Sequence, residues 1–228
     1  MVSRTLSSIH VGSEAGWSGA SYLSLDIDWA HDDVLADTID LVEEYHVSAT
    51  WFVTHNTPLI ARLRSHPRFE LGIHPNFNFL LNGDCRAGCD AAEVVDRLMA
   101  IVPEAKSVRS HSTTQSSGLL DLFLRRGLTH ECNAFIPVQS GISLKPWRLW
   151  SNLTRVPYNY EDDVHILYES MGIQQQSPRD IALSVEQGLK VFDFHPIHVF
   201  LNTESLDRYE GYGTRNRLIE LLELCKQP

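Results

Sequence analysis

The chain has 228 residues, of which 43% are hydrophobic and 21% are charged, a composition that excludes a mainly disordered or fibrous protein. Its 19 Lys and Arg residues against 29 Asp and Glu residues give a formal charge of −10, which argues against nucleic acid as a partner. No apolar run is long enough for a transmembrane helix, and no signal-peptide core follows Met1. We therefore expect a cytoplasmic location, while no sequence feature indicates the oligomeric state.

The domain organisation is read from linkers and repeats, and the chain shows neither. Residues 1–20 are rich in Ser and Gly and predict an irregular N-terminal arm, and residues 21–228 predict one domain. Cys85 and Cys89 form a C-x₃-C pair, but no second pair completes a zinc cage. We expect free thiols at all four cysteines, which are Cys85, Cys89, Cys132 and Cys225.

Strand and helix patterns alternate along the chain. In chain order we predict a strand over 22–25, a helix opening at Asp32, a strand over 49–54, a helix from Pro58 to about 66, a strand over 69–73, a helix over 91–102, a strand near Val108, a helix over 119–126, strands over 129–134 and 153–157, a helix over 178–187, a strand over 191–194 and a helix over 214–225. Such alternation is typical of parallel βαβ units and favours a small or incomplete α/β barrel. A doubly wound open sheet is the competing fold, weakened by the lack of a Gly-rich nucleotide-binding motif.

Polar and titratable residues follow most of the predicted strands, where parallel barrels place their active sites. Helix caps account for some Asp and Asn at these positions but not for His and Arg. The residues in question are Asp26, Asp28, His31, His55, Asn56, His74, Asn76, Asn78, Arg109, His111, Glu131, Asn133, Tyr158, Glu161, Asp162, Asp163, His195, His198 and Asn202. Converging groups of this kind predict a catalytic pocket.

Metal-assisted amide hydrolysis needs residue types that these strand ends supply. Asp28 and His74 offer carboxylate and imidazole ligands for a divalent metal, Zn²⁺ first, with Co²⁺, Mn²⁺ or Fe²⁺ as alternatives. Asp26 lies beside the ligand as a general base, and Arg109 is the cation that can orient it. His195 has a suitable intrinsic pKa for a general acid that protonates the leaving amine.

Five segments in order carry a family resemblance: Leu23–Asp28, Ala49–Val53, Glu70–His74, Val108–Arg109 and Asp193–Pro196. Together they resemble the NodB-homology polysaccharide deacetylases of carbohydrate esterase family 4, in particular a divergent branch linked to O-antigen and surface-polysaccharide biosynthesis. The resemblance covers roughly residues 20 to 202. It implies an α/β fold of the distorted (β/α)₇ barrel, NodB-like type, and removal of an acyl group from an N-acylated amino sugar, hence a carbohydrate substrate.

Three departures from the family pattern affect the metal site. Ile27 separates two aspartates that are adjacent in most members, and the motif that begins at Arg109 lacks the usual proline. The position of the second metal histidine, four residues after His74, holds Asn78. By position Asn78 is the third ligand, and His31, Asp32 or His111 are the alternatives, as is a site without metal.

Four further residues are assigned to substrate binding: His111, Asp162, Asp163 and His198. His111 is open between a substrate and a metal contact. The acidic run Glu161–Asp163 is open between a solvated turn and a role in orienting the acid or holding a sugar hydroxyl. His198 is the other candidate for the acid. Two other functions stay open: hydrolysis of another small amide or formamide, with or without metal, and a non-catalytic carbohydrate-binding barrel.

Overall fold

The computed structural model describes residues 2–184, 188–203 and 214–225, with side chains omitted for 214–217. The strands of this part are β1 Val2–Ser3, β2 Ala20–Asp26, β3 Ala49–Val53, β4 Phe69–Ile73, β5 Ser107–Val108, β6 His130–Glu131, β7 Trp147–Arg148, β8 Thr154–Arg155, β9 Tyr160–Glu161 and β10 Lys190–Phe194. The α-helices are α1 Glu14–Trp17, α2 Asp32–Glu44, α3 Leu59–Ser65, α4 Asn78–Leu81, α5 Ala91–Ile101, α6 Ser117–Arg125, α7 Asp162–Ser170, α8 Pro178–Leu183, α9 Pro196–Leu201 and α10 Thr214–Cys225.

The strands form one curled sheet in the order β7-β8-β6-β5-β4-β3-β2-β10-β9, with β1 added to β2. The pairs are parallel except β7 with β8, which is antiparallel. Residues 156–159 connect β8 to β9, and these two strands pair with β6 and β10 on opposite flanks of the sheet. This short connection draws the two flanks together, so the sheet curls into a distorted half-barrel, and the predicted barrel fold is confirmed.

The central strands are buried along their whole length because helices and barrel interior cover both faces. Every residue of β2 and β3 is buried. Helix α2 turns Leu35, Ile39 and Val42 toward the sheet, as its apolar period predicts. Helix α5 begins where the Asp90 side chain accepts the Glu93 N–H, a common N-terminal cap.

The predicted elements match the structure best where the hydrophobic period is long. The strand over 69–73 has the predicted bounds, and the helix over 91–102 ends one residue earlier. The strands over 129–134 and 153–157 are reduced to two paired residues each, since the chain turns inward around them. The helix over 178–187 is α8 up to Leu183, and positions 185–187 lie outside the described residues. Helices α7 and α9 were not predicted.

The N-terminal segment packs onto the barrel. Strand β1 pairs with β2, a 3₁₀ turn spans Leu6–Ser8, and α1 follows. The side chains of Leu6, Ile9 and Trp17 are buried. The segment predicted as irregular therefore contains short regular elements and contributes to a second apolar cluster beside the main core.

Two sequence expectations concern features outside the barrel architecture. The four cysteines are free thiols, as predicted. Across the described ranges, each helix is too short or too polar to cross a bilayer.

Candidate active site

The functional side chains lie where neighbouring parallel strands end. Asp26 ends β2, His74 follows β4, Arg109 follows β5 and His195 follows β10. Since these strands pair in parallel, their carboxyl ends meet at one rim of the half-barrel. A cavity of about 100 Å³ opens there, which we call the strand-end cavity. It is lined by Asp26, Asp28, His74, Arg109, Ser110, His111, Ser112, Thr113, Tyr158, Glu161, Asp163 and His195.

Arg109 is the central cation of this rim and is only 1% exposed. Its Nη1 donates to Asp26 Oδ1 at 2.9 Å and also contacts Asp193 Oδ1. Its guanidinium carbon lies 4.7 Å from the Phe52 ring centre and 4.5 Å from the Tyr158 ring centre. A planar guanidinium held between two rings and two carboxylates has one orientation, so Arg109 fixes the position of the Asp26 carboxylate.

Asp26 is buried, and burial is the main cause that raises its pKa to about 6, although the Arg109 charge acts in the opposite sense. A carboxylate with that pKa is ionised at neutral pH yet basic enough to take a proton. Its Oδ2 lies 3.3 Å from His74 Nδ1. The arrangement suits the predicted general base.

Three donor atoms from residues that line the cavity form a nearly equilateral triangle. Asp28 Oδ1 lies 3.3 Å from His74 Nε2 and 3.5 Å from His111 Nδ1, and the two ring nitrogens are 3.3 Å apart. Ligands on a tetrahedral zinc, with bonds of about 2.0–2.1 Å, are separated by about 3.3–3.4 Å. The buried Asp28 Oδ1 has no hydrogen-bond partner among the described residues. This donor set therefore fits a divalent metal.

The charge states of two of these donors also suit a metal, which binds deprotonated ligands. Burial lowers the pKa of His74 to about 3, so its imidazole is neutral with a free lone pair. Burial alone would raise the pKa of Asp28, but the polar contact with His111 and the nearby His74 lower it to about 2. The cluster thus presents one carboxylate and a neutral ring at ordinary pH.

The backbone around the donors is held in unusual conformations. Asp28 and Trp29 have φ values of 34° and 54°, and Ser112 and Thr113 have 54° and 50°. Residues other than glycine rarely adopt such backbone angles. These conformations cost free energy and persist where the surrounding structure enforces them. Both strained pairs adjoin a donor of the triangle, so the folded chain holds Asp28 and His111 in place.

The candidates for the third ligand lie in different places. His111 belongs to the donor triangle, whereas the Asn78 side chain donates to the Ser112 hydroxyl at 3.0 Å. The His31 ring accepts the Asp33 N–H at the start of α2. The remaining alternative, Asp32, accepts a hydrogen bond from the Thr57 hydroxyl. The structure thus brings His111, and neither His31 nor Asp32, to the donors.

His195 also lines the cavity, with its Nε2 3.7 Å from Asp28 Oδ2. Its Nδ1 lies 2.6 Å from Asp162 Oδ1, and its backbone N–H donates to Asp162 Oδ2 at 2.9 Å. Burial opposes the charged ring, but the Asp162 carboxylate outweighs burial and raises the pKa of His195 well above its usual value. Asp162 is 0% exposed, so its contact is with His195 and not with the open cavity.

The other residues assigned to substrate lie at different depths. Asp163 is exposed and lines the cavity beside Glu161 and His195. His198 lies on α9, where its Nδ1 is 3.3 Å from the Thr203 hydroxyl. The His198 ring centre is 5.9 Å from that of His195. Of the two histidines, His195 is the one that borders the cavity.

Sequence reasoning assigned no role to Asp193, which shares Arg109 with Asp26. Asp193 also accepts the Ser24 hydroxyl at 2.8 Å, and Arg109 Nη2 donates to Ser24 at 3.0 Å. An acid inside the apolar run Val191–Phe194 was the available signal, because a buried strand rarely carries an unpaired charge.

Comparison with known proteins identifies the family. The model of WbmS-like polysaccharide deacetylases matches residues 23–213. A crystal structure from Bordetella bronchiseptica, described as a polysaccharide deacetylase involved in O-antigen biosynthesis (WbmS), is 41% identical, with a TM-score of 0.86 over 98% of this chain and 97% of that chain. No curated protein matches the chain.

More distant structures share the fold alone. A Mycobacterium smegmatis polysaccharide deacetylase structure is 16% identical, with a TM-score of 0.54 over 90% of this chain and 84% of that one. The 4-alpha-glucanotransferase of Thermococcus litoralis is 11% identical, with a TM-score of 0.55 over 89% of this chain and 35% of that one. The family match and the 41% identical structure together decide the assignment. The chain belongs to the WbmS-like polysaccharide deacetylase family.

Proposed function

We propose that this chain removes an N-acyl group, acetyl in the simplest case, from an amino sugar of a surface polysaccharide or its precursor, with the help of a divalent metal. One observation carries the proposal: the Asp28–His74–His111 triangle shares a cavity with the Asp26–Arg109 pair and with His195. The Bordetella neighbour is described as acting in O-antigen biosynthesis, which supports a glycan precursor as the substrate.

The metal would be held by Asp28, His74 and His111, with Zn²⁺ as the first candidate because a set of two imidazoles and one carboxylate is common at catalytic zinc sites. When bound, such an ion acts as a Lewis acid that polarises carbonyl groups and lowers the pKa of water. In this proposal His111 takes the place that sequence position alone gave to Asn78.

Asp26 accepts the proton of the attacking water. Its carboxylate is ionised at neutral pH, and Arg109 holds it in one orientation through Oδ1, which leaves Oδ2 on the side of His74. The proton moves from water to Asp26 as the water oxygen bonds to the amide carbonyl carbon, so no free hydroxide ion is required.

His195 donates the proton that the leaving amine requires. Its Nδ1 is bound to Asp162, so Nε2 is the nitrogen available to the cavity. The raised pKa of His195 keeps the ring protonated at neutral pH. Transfer of that proton to the amide nitrogen accompanies cleavage of the C–N bond, and the products are a carboxylate and an amino sugar.

The first experiment is metal content by elemental analysis, together with release of acetate from N-acetylated sugars, on wild type, His111→Ala and Asn78→Ala. We expect about one metal ion per chain in wild type and in Asn78→Ala, and loss of both metal and turnover in His111→Ala. Metal retained in His111→Ala but lost in Asn78→Ala would return the third ligand to Asn78.

The alternatives give other outcomes of the same experiment. Turnover without any metal, even after chelation, would favour a metal-free amide hydrolase. No turnover on any N-acyl sugar, with saturable sugar binding retained, would favour a non-catalytic barrel. The pairing of Asp26 with Arg109 and of His195 with Asp162 argues against the latter, because a binding module needs no positioned base and acid.

A further inference from the structure

A second cavity, of about 480 Å³, lies at the other end of the half-barrel. Its lining includes Ser48 just before β3, Glu70 as the second residue of β4 and Lys106 just before β5. These positions are the amino ends of parallel strands, whereas the candidate active site lies at their carboxyl ends. Residues 3–8 of the N-terminal segment close one side. We call this space the N-terminal cavity.

The lining of the N-terminal cavity is locally positive, opposite in sign to the chain as a whole. The protein carries a formal charge of −10, with 19 Lys and Arg residues in total. Four of those cations line this one cavity, against two carboxylates. The cations are Arg4, Arg64, Arg68 and Lys106, and the carboxylates are Glu70 and Glu104. A local positive charge on an acidic protein is a feature that requires an explanation.

Both carboxylates already have partners. Glu104 accepts from Arg64 Nε at 2.5 Å. Glu70 accepts the backbone N–H and the hydroxyl of Ser7 at 3.0 and 2.8 Å, and the Ser107 hydroxyl binds its other oxygen. Glu70 therefore ties the N-terminal segment to the barrel. Among the described residues, Arg64 is the one cation of the four that an ion pair neutralises.

The other cations remain available to a ligand. Over the described part of the chain, no side-chain hydrogen bond or ion pair engages Arg68 or Lys106, and both side chains are exposed. Arg4 gives one N–H to the Gly16 carbonyl, which leaves most of its five donors. The Ser3 oxygen accepts the Ser48 N–H, so its own hydroxyl hydrogen is still free to donate. The cavity thus offers donors and positive charge.

We propose that the N-terminal cavity binds a small soluble ligand that carries phosphate groups. Guanidinium forks match phosphate oxygens, and lysine adds a point charge. A single carboxylate needs one cation, whereas a diphosphate uses the several cations gathered here. The volume falls within the range of small-molecule sites, and residues of both the N-terminal segment and the barrel line the space.

This site is separate from the proposed deacetylase site. Glu70 lies near the start of β4 and His74 directly after its end, so four residues, or about 13 Å of strand, divide the two. A ligand in the cavity would contact both the N-terminal segment and the barrel. Its binding would therefore stabilise their association and raise the melting temperature as its concentration rises.

The test is isothermal titration calorimetry with pyrophosphate and with inorganic phosphate at constant ionic strength, on wild type and on an Arg68→Gln/Lys106→Gln double variant. The matched control is Arg125→Gln, which removes an exposed arginine on α6, outside the cavity. We expect saturable binding of pyrophosphate to wild type and to the control, and at least tenfold weaker binding to the double variant. Unliganded melting temperatures should agree, since neither Arg68 nor Lys106 has a side-chain partner to lose.

Three results would overturn the proposal. The first is the absence of saturable binding by either anion. The second is equal binding to wild type and the double variant, which would place the anion elsewhere, for example on a metal at the other end of the barrel. The third is binding to vesicles of anionic lipid without binding of pyrophosphate, which would make this surface a membrane contact. None of these results bears on acetate release.

Discussion

Asp162 holds His195 at two points, through the ring Nδ1 at 2.6 Å and through the backbone N–H at 2.9 Å. One carboxylate thereby sets both the orientation and the protonation state of the proposed acid. Asp162 is the first residue of α7, and β9 ends one residue before it. The position of Asp162, and with it the contact to His195, is therefore set by the junction between β9 and α7.

Replacing Asp162 by Asn should change the pH dependence of turnover. The carboxylate stabilises the imidazolium, so its loss lowers the pKa of His195, and the proposed acid loses its proton at a lower pH. We expect kcat to fall roughly 10- to 100-fold, with the alkaline limb of the pH profile moved toward neutral. Steady-state kinetics across pH measure both effects.

Asp163→Asn is the control for this change. Asp163 also raises the pKa of His195, but its influence ranks below that of Asp162. The alkaline limb should therefore move less. An unchanged limb in Asp162→Asn, with the protein folded, would remove Asp162 from the role of positioning the acid.

Asp26→Asn should abolish turnover and leave the metal bound. The amide nearly preserves the shape of the side chain and its acceptor toward Arg109, but it cannot take a proton from water. We expect a loss of at least about 100-fold in kcat, with unchanged metal content by elemental analysis. A loss of metal in this variant would instead make Asp26 a ligand.

Replacing Arg109 should reduce the free energy of unfolding more than replacing Asp193, one of the two carboxylates that contact it. Arg109→Leu leaves Asp26 and Asp193 buried without their cation, and we expect a loss of about 3–5 kcal/mol in the free energy of unfolding. Asp193→Asn keeps an acceptor oxygen for Ser24 and Arg109, and Asp26 still pairs with the guanidinium. Asp193→Asn should cost less than half as much in chemical denaturation. Equal losses would contradict the role of Asp26 as a sufficient partner for Arg109.

Gly72→Ala tests the close packing beneath the site. A Cβ at this position would lie 2.7 Å from a Phe52 ring carbon and 2.8 Å from the Ser107 carbonyl oxygen. Phe52 cannot yield freely, because its ring covers the Arg109 guanidinium. We expect a loss of about 1–3 kcal/mol, seen as a lower melting temperature, and reduced turnover. Gly118→Ala, whose Cβ would meet only Ser116 Oγ at 3.9 Å, is the matched control.

The positions of Asp26, His74, Arg109 and His195 could be predicted because parallel strands deliver their following residues to one rim. That argument depends only on strand order and period, which the apolar runs display. It could not choose among candidates for the third metal ligand. His111 reaches the triangle through a turn with left-handed Ser112 and Thr113, and no local propensity predicts such a turn.

The short strands also escaped exact prediction, for a physical reason. Strands β5, β6 and β8 have two residues each, so their apolar alternation is too brief to show bounds. The role of Asp193 depends on register, since β10 places it beside Ser24 of β2. Register between strands this far apart in sequence is a property of the assembled sheet and is absent from either segment alone.

The hydrogen bond from Ser24 to Asp193 joins residues 169 positions apart in the chain. During synthesis, β2 and Arg109 leave the ribosome before β10, so Asp26 and Arg109 have no Asp193 to contact until β10 has been made. Formation of the site is therefore a late event whose rate is governed by long-range closure. A truncated or stalled product that lacks β10 would carry Asp28, His74 and His111 but neither Asp193 nor His195. The proposed chemistry therefore requires a chain that extends at least through β10 and His195.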